Sequence, residues 1–324
     1  MATPATRPAP ARGHSPDLGF RLGTGAFALT LILIVVAIGF ELTRQSMLSI
    51  QKFGFSFWRT ETWDPVAGEF GALPFIWGTL YSSILALVMA TPVAIGIAIF
   101  ISELCPALLK QPLVFLTELL AAIPSIVYGL WGIFVMVPAV RAFETAMPAW
   151  LRQWPFFSGP PYGVGMLSAG LILAIMIVPF TSSVAREVLK AVPAAQREGA
   201  YALGATRLEA IRAALFYART GIVGAVMLGF GRALGETMAV TMVIGNNPKI
   251  SLSLFAPQYT MAAVVANEFT EAADQLYLDA LIEIALVLFI ITLIVNSLSR
   301  LLMWSVARSA GAVSVPATPA EATP

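Results

Sequence analysis

Arg232 and Glu236 stand four residues apart in an apolar run, IVGAVMLGFGRALGETMAVTMVIG, that carries no other charge between Ile222 and Gly245. A guanidinium offers parallel N–H donors that match two oxygens of a tetrahedral oxyanion, a geometry an ammonium lacks. The neighbouring carboxylate is the wrong sign for an anion until the anion's own proton is counted. Monohydrogen phosphate keeps an O–H that donates to a carboxylate, whereas sulfate at neutral pH has none, so the pair is suited to accept phosphate and refuse sulfate. The structural alternative is an ion pair at a helix–helix contact. On one continuous helix the spacing puts both side chains on a single face, and Gly231 with Gly235 forms a G-x-x-x-G step of the kind that lets a second helix approach closely. Two further acids lie in or near apolar stretches. Glu118 sits near one end of its stretch and Glu283 about one turn inside the other end of its own, and both read as structural.

The elements that must position these residues are membrane helices. The chain is 58% hydrophobic and only 11% charged, with a mean hydropathy of +0.82, against about 25% charged residues in a soluble domain. Six apolar stretches, 23–42 and about 74–101, 113–140, 163–185, 221–245 and 278–304, are each long enough to cross a hydrocarbon core of about 30 Å at about 1.5 Å per residue. The fold class is therefore an all-α integral membrane protein of six transmembrane helices. The first stretch exceeds the apolar length of a signal peptide and no small-x-small cleavage site follows it. Residues 1–22, rich in Pro and Ala, read as a disordered tail, 23–44 as the first transmembrane helix, 70–305 as the core and 306–324 as a second disordered tail. Lys and Arg number 12 across the N-terminal tail, 102–112, 186–220 and the C-terminal end, and six across the other three connections. By the positive-inside rule the first set, with both termini, is cytoplasmic.

The longest basic connection, 186–220, has helix punctuation of its own. Pro193 suits a first helical turn, Gly204 interrupts the run after Leu203, and Thr206 with Glu209 has the T-x-x-E spacing of a capping box. Leu208, Ile211 and Leu215 fall on one face of the second helix. The reading is a helix–turn–helix elbow, more order than a simple connection between spans needs.

Here the residues resemble a family. Glu198, Gly199, Ala200 and Gly204 resemble the E-x-A-x-x-x-G core of the EAA motif in the membrane subunits of ATP-binding-cassette (ABC) importers; Ala214, Phe216 and Tyr217 stand where that motif usually ends in I-x-L-P. RALGETMAVTMVIGN, LTELLAAIPSIVYGLWG and the ANEF of Ala266 to Phe269 are similar to PstC-type phosphate permeases within that class, over roughly residues 70 to 305. The resemblance implies the type I ABC importer permease fold, with Glu198, Gly199, Ala200 and Gly204 docking an ATPase. It also implies four kinds of partner: a second, PstA-like permease; PstB-like ATPase subunits that use ATP and Mg; an external PstS-like phosphate-binding protein; and the lipid of a bacterial inner membrane. On this reading Arg232 and Glu236 line the substrate pathway, and the chain itself binds no cofactor or metal.

What the sequence lacks agrees with that. No G-x-x-x-x-G-K-[ST] loop is present, so nucleotide is handled elsewhere. The lone Cys105 and lone His14 leave no disulfide, His-ligated metal site or Ser–His catalysis to build, and no dense basic patch invites nucleic acid. Pro92, Pro124, Pro138 and Pro179 interrupt apolar stretches and mark kinked or pore-lining helices. The aromatic connection 141–162 and the acidic 247–277 both read as interfacial. A secondary transporter would explain the Arg/Glu pair, but no internal repeat is visible. A membrane scaffold would explain only the elbow. A sulfate or molybdate permease is the nearest alternative.

Overall fold

A computed structural model describes residues 15–311, and among these no strand occurs beyond two isolated bridges, Asp64 with Glu69 and Gly245 with Gln258. Six helices are long and apolar enough to cross a bilayer. In chain order the helices are α1 (Ser15–Gln45), α2 (Met47–Phe53), α3 (Leu73–Ile99), α4 (Ala107–Ala122), α5 (Ser125–Trp131), α6 (Val137–Ala146), α7 (Ala149–Arg152), α8 (Met166–Lys190), α9 (Ala194–Ala202), α10 (Arg207–Leu234), α11 (Met238–Val243), α12 (Met261–Glu268) and α13 (Gln275–Gly311). π-turns at Phe100–Leu104 and Gly132–Met136 close α3 and join α5 to α6.

The core is the pairing of α3 with α8. Ala86, Ala90, Ala94 and Ala98 recur every fourth residue on α3 and are all buried, and a stripe of small side chains lets backbones approach where no hydrophobic drive operates between helices. Ala169, Leu173 and Ile177 of α8 fill the facing positions. α1 docks on α13, where Phe289 covers Gly39, and turns Phe27, Leu31 and Val36 outward. It starts at Ser15, inside the stretch read as a tail, with Pro16 tolerated in its first turn. The remainder of the N-terminal tail, with His14, and most of the C-terminal tail lie outside the described residues.

Three boundaries differ from the sequence reading. The stretch 113–140 is not one helix: α4 ends at Ala122, and Ile123 and Pro124 are extended, because a proline disfavours the helical region for the residue before it. Pro92 and Pro179, by contrast, sit inside unbroken helices, and Pro138 lies in the first turn of α6. The connection 247–277 is more than interfacial. It buries Met261, Ala263 and Val264 of α12 against α3 and α13, while Glu268 accepts hydrogen bonds from Trp63 Nε1 (2.9 Å) and the Tyr277 hydroxyl (2.7 Å). Finally, 221–245 breaks in its middle, with consequences for the site.

Candidate functional site

α10 ends at Leu234, Gly235 leaves the helix, and α11 starts afresh at Met238. Two glycines within five residues weaken the helix, and the neighbouring side chains satisfy the freed backbone. The Glu236 carboxylate accepts the Ala239 N–H at 3.3 Å, and the Thr237 hydroxyl donates to the Gly235 carbonyl at 3.4 Å. Arg232 and Glu236 therefore do not share one helical face, and among the described residues no ion pair joins them. Only half of the G-x-x-x-G step faces another helix: a Cβ on Gly231 would meet Asn296 Oδ1 of α13 at 3.6 Å, whereas one on Gly235 would meet only the carbonyl of Gly231. The tightest approach lies two residues before Gly231, at Gly229, where a Cβ would collide with Thr181 Oγ1 of α8.

Arg232 is left exposed, its guanidinium 5.6 Å from the ring of Phe180, an attraction that stabilises a cation without neutralising it. Phe180 lies near the middle of α8, so Arg232, in the last turn of α10, stands level with the middle of that helix. The second break lies alongside. Met242 and Ala239 of α11 cover Gly129 of α5, and the Tyr128 hydroxyl donates to the Leu120 carbonyl (2.8 Å), which also accepts the Ile123 N–H at the end of α4. Two helix breaks, at Ile123–Pro124 and at Gly235–Thr237, thus flank segments packed beside one exposed arginine. Irregular backbone at membrane depth persists only where protein or a watered cavity satisfies it.

The elbow forms as read. Thr206 caps α10 through a reciprocal box with Glu209. Gly204 has φ +82, and its N–H bonds the Tyr201 carbonyl while the Ala205 N–H bonds the Ala200 carbonyl, which is a Schellman ending. Pro193 stands just before α9 as its cap rather than inside it. Ile211 is buried and Leu215 packs on the α8–α10 cluster, but Leu208 is exposed, so the buried stripe of α10 is instead Ala210, Ile211, Ala214 and Ala218. Glu198 and Gly199 face outward with open space over Gly199, beside an exposed Tyr201 and Leu203.

Two anchoring arginines escaped the sequence reading. Arg186, buried near the end of α8, pairs with Glu118 at 3.1 Å and Glu187 at 2.9 Å, which gives Glu118 a structural role. Arg197 of α9 pairs with Glu103 at 2.7 Å. The signal was faint, an acid about 70 to 90 residues from each arginine with no fixed spacing. Glu283 is buried with Ser49 on the far side of α13 and takes no part in the Arg232 site.

The sequence family described as "Binding-protein-dependent transport system inner membrane component" matches residues 94–309. The chain belongs to this family. It is 44% identical over 304 residues to the phosphate transport system permease protein PstC of Mesorhizobium japonicum, covering 91% of this chain and 92% of that one. It is 47% identical over 298 residues to the PstC of Haemophilus influenzae, covering 90% and 94%. Among solved structures, the permease resembles a chain of the inward-facing MetNI methionine ABC transporter with a TM-score of 0.54 at 14% identity, covering 72% of this chain and 94% of the other. The fold is thus that of a type I ABC importer permease.

Proposed function

We propose that the permease forms half of a translocation path for inorganic phosphate and that partner ATPases drive it through the elbow. The observation that carries the substrate is Arg232: an exposed guanidinium in the last turn of α10, level with the middle of α8, at a helix break, with no carboxylate partner among the described residues. An unneutralised arginine at a span centre costs roughly 2.5–3.5 kcal/mol on insertion scales, and an arriving oxyanion offsets that cost. Glu236, held at the start of α11, accepts the phosphate proton, and the relatives' name supports the same anion. The exposed face of Arg232 is where a second, homologous permease completes the path. Glu198, Gly199, Ala200 and Gly204 seat in the ATPase, which binds ATP and Mg, while a phosphate-binding protein delivers substrate to the opposite face of a bacterial inner membrane.

The test is uptake of labelled phosphate into vesicles reconstituted with the permease and these partners, with ATP inside the binding-competent compartment. ATP-dependent uptake that tenfold excess sulfate leaves unchanged is the expected result; sulfate or molybdate competing on equal terms would assign the path to another oxyanion.

Sidedness has its own test. Cys105 is the one thiol, and it sits, half-exposed, after the π-turn that touches the elbow. A membrane-impermeant maleimide is expected to label it in inverted vesicles and to spare it in right-side-out ones. Labelling from the outside reverses the orientation.

A further inference from the structure

Arg197 does more than decorate α9. Its Nη1 donates to the Val192 carbonyl (3.0 Å) and its Nη2 to the Leu189 carbonyl (2.9 Å), so it ties α9 to the end of α8. The same Nη2 pairs with Glu103 Oε1 at 2.7 Å, with both side chains largely buried. Glu103 lies in the π-turn that closes α3, and its backbone carbonyl accepts from Arg207, the first residue of α10. One residue at the end of α3 therefore holds both arms of the elbow.

Of the helices that touch the elbow, α10 is broken at Gly235, whereas α3 and α8 run unbroken across the membrane. At its far end α3 is fastened to the external segment: Trp77 Nε1 donates to the Ser251 carbonyl (3.1 Å), the Tyr81 hydroxyl to the Leu252 carbonyl (2.9 Å), and Thr79 Oγ1 accepts the Met261 N–H (2.9 Å). α8 is fastened there too, through the Leu167 N–H to the Leu254 carbonyl (2.7 Å).

We infer that Arg197 and Glu103 are positioning residues that make the elbow and the α3–α8 pair one rigid body, so that displacement of the elbow reaches the external segment 251–261 instead of dissipating in the turn. The inference rests on the elbow being the ATPase contact. Its physical basis is a two-ended element with hydrogen bonds at both ends and a close-packed alanine stripe between, the kind of contiguous connection that coupling requires.

The experiment uses the assembled complex in vesicles, with Glu103→Cys and Arg197→Cys in a Cys105→Ser background. Because an extended Arg–Glu pair spans more than a disulfide can, the two thiols are bridged with a short, reducible bis-thiosulfonate. Unbridged, ATP hydrolysis is expected to persist while phosphate imported per ATP falls about tenfold or more, the scale of a lost charge-assisted hydrogen bond. Bridging is expected to restore the ratio, and reductant to remove it again. Glu103→Gln, which keeps a hydrogen-bond acceptor, is expected to lose less. A wild-type ratio in the unbridged protein, or a bridge that blocks import further, overturns the inference. Absence of ATP-driven import by the unmutated complex would instead count against the functional reading beneath it.

Discussion

Gly204→Val is expected to leave the permease inserted and the complex assembled, while ATP-driven phosphate uptake falls roughly tenfold or more and ATP hydrolysis continues. The reason is conformational. Nothing lies within 4 Å of a Cβ at Gly204, so crowding is not the obstacle. The obstacle is φ +82, which costs an L-residue on the order of 1–2 kcal/mol and a β-branched one more. The two hydrogen bonds of the Schellman ending hold Ala200 and Tyr201 in place, so relaxing the turn re-aims Glu198 and Gly199 on the exposed face of the elbow. Gly204→Asn provides the control, since Asn tolerates the left-handed region: most uptake is expected to survive. Equal loss in the Asn and Val variants would show that Gly204 serves some other purpose.

Arg232→Lys is expected to lower phosphate uptake by roughly ten- to a hundredfold, the range of one to two hydrogen bonds to a charged group, with ATP hydrolysis and assembly retained. Lysine keeps the charge, and Phe180 still offers its ring; what disappears is the parallel pair of donors. Glu236→Gln has a different signature. An amide oxygen still accepts the Ala239 N–H that Glu236 holds, so α11 keeps its start, and it still accepts the phosphate proton. Its N–H₂, however, also donates to sulfate. Uptake is expected to fall less than in Arg232→Lys, and sulfate is expected to become a competitor. Unaltered discrimination in Glu236→Gln would remove Glu236 from the recognition of the anion.

The number of crossings and the elbow were legible because both are written in local terms: apolar runs of bilayer length, a capping box, a glycine two residues past a helix end. Arg232 and Glu236 were legible as chemistry, since charge in an apolar run stands out from any pattern. Their geometry was not. A spacing of four reads as one face only if the helix continues, and Gly235 with the Glu236 and Thr237 side chains ends it through bonds that composition alone does not reveal. The same holds for Pro124, whose break at Ile123 the apolar run concealed, whereas Pro92 and Pro179 sit within helices that tolerate them. Arg186 and Arg197 looked like ordinary positive-inside residues; their partners Glu118 and Glu103 come from a different part of the chain, and only the tertiary packing brings them together.

The central claim is that Arg232 meets the transported anion rather than serving as architecture. Phosphate uptake by Arg232→Gln in the fully assembled, ATP-hydrolysing complex tests it most directly. Glutamine is shorter than arginine but keeps a polar amide with N–H donors while removing the charge, and among the described residues no ion pair is broken by the change. The account predicts an assembled complex whose phosphate uptake is reduced roughly a hundredfold; uptake at the unmutated rate would contradict it.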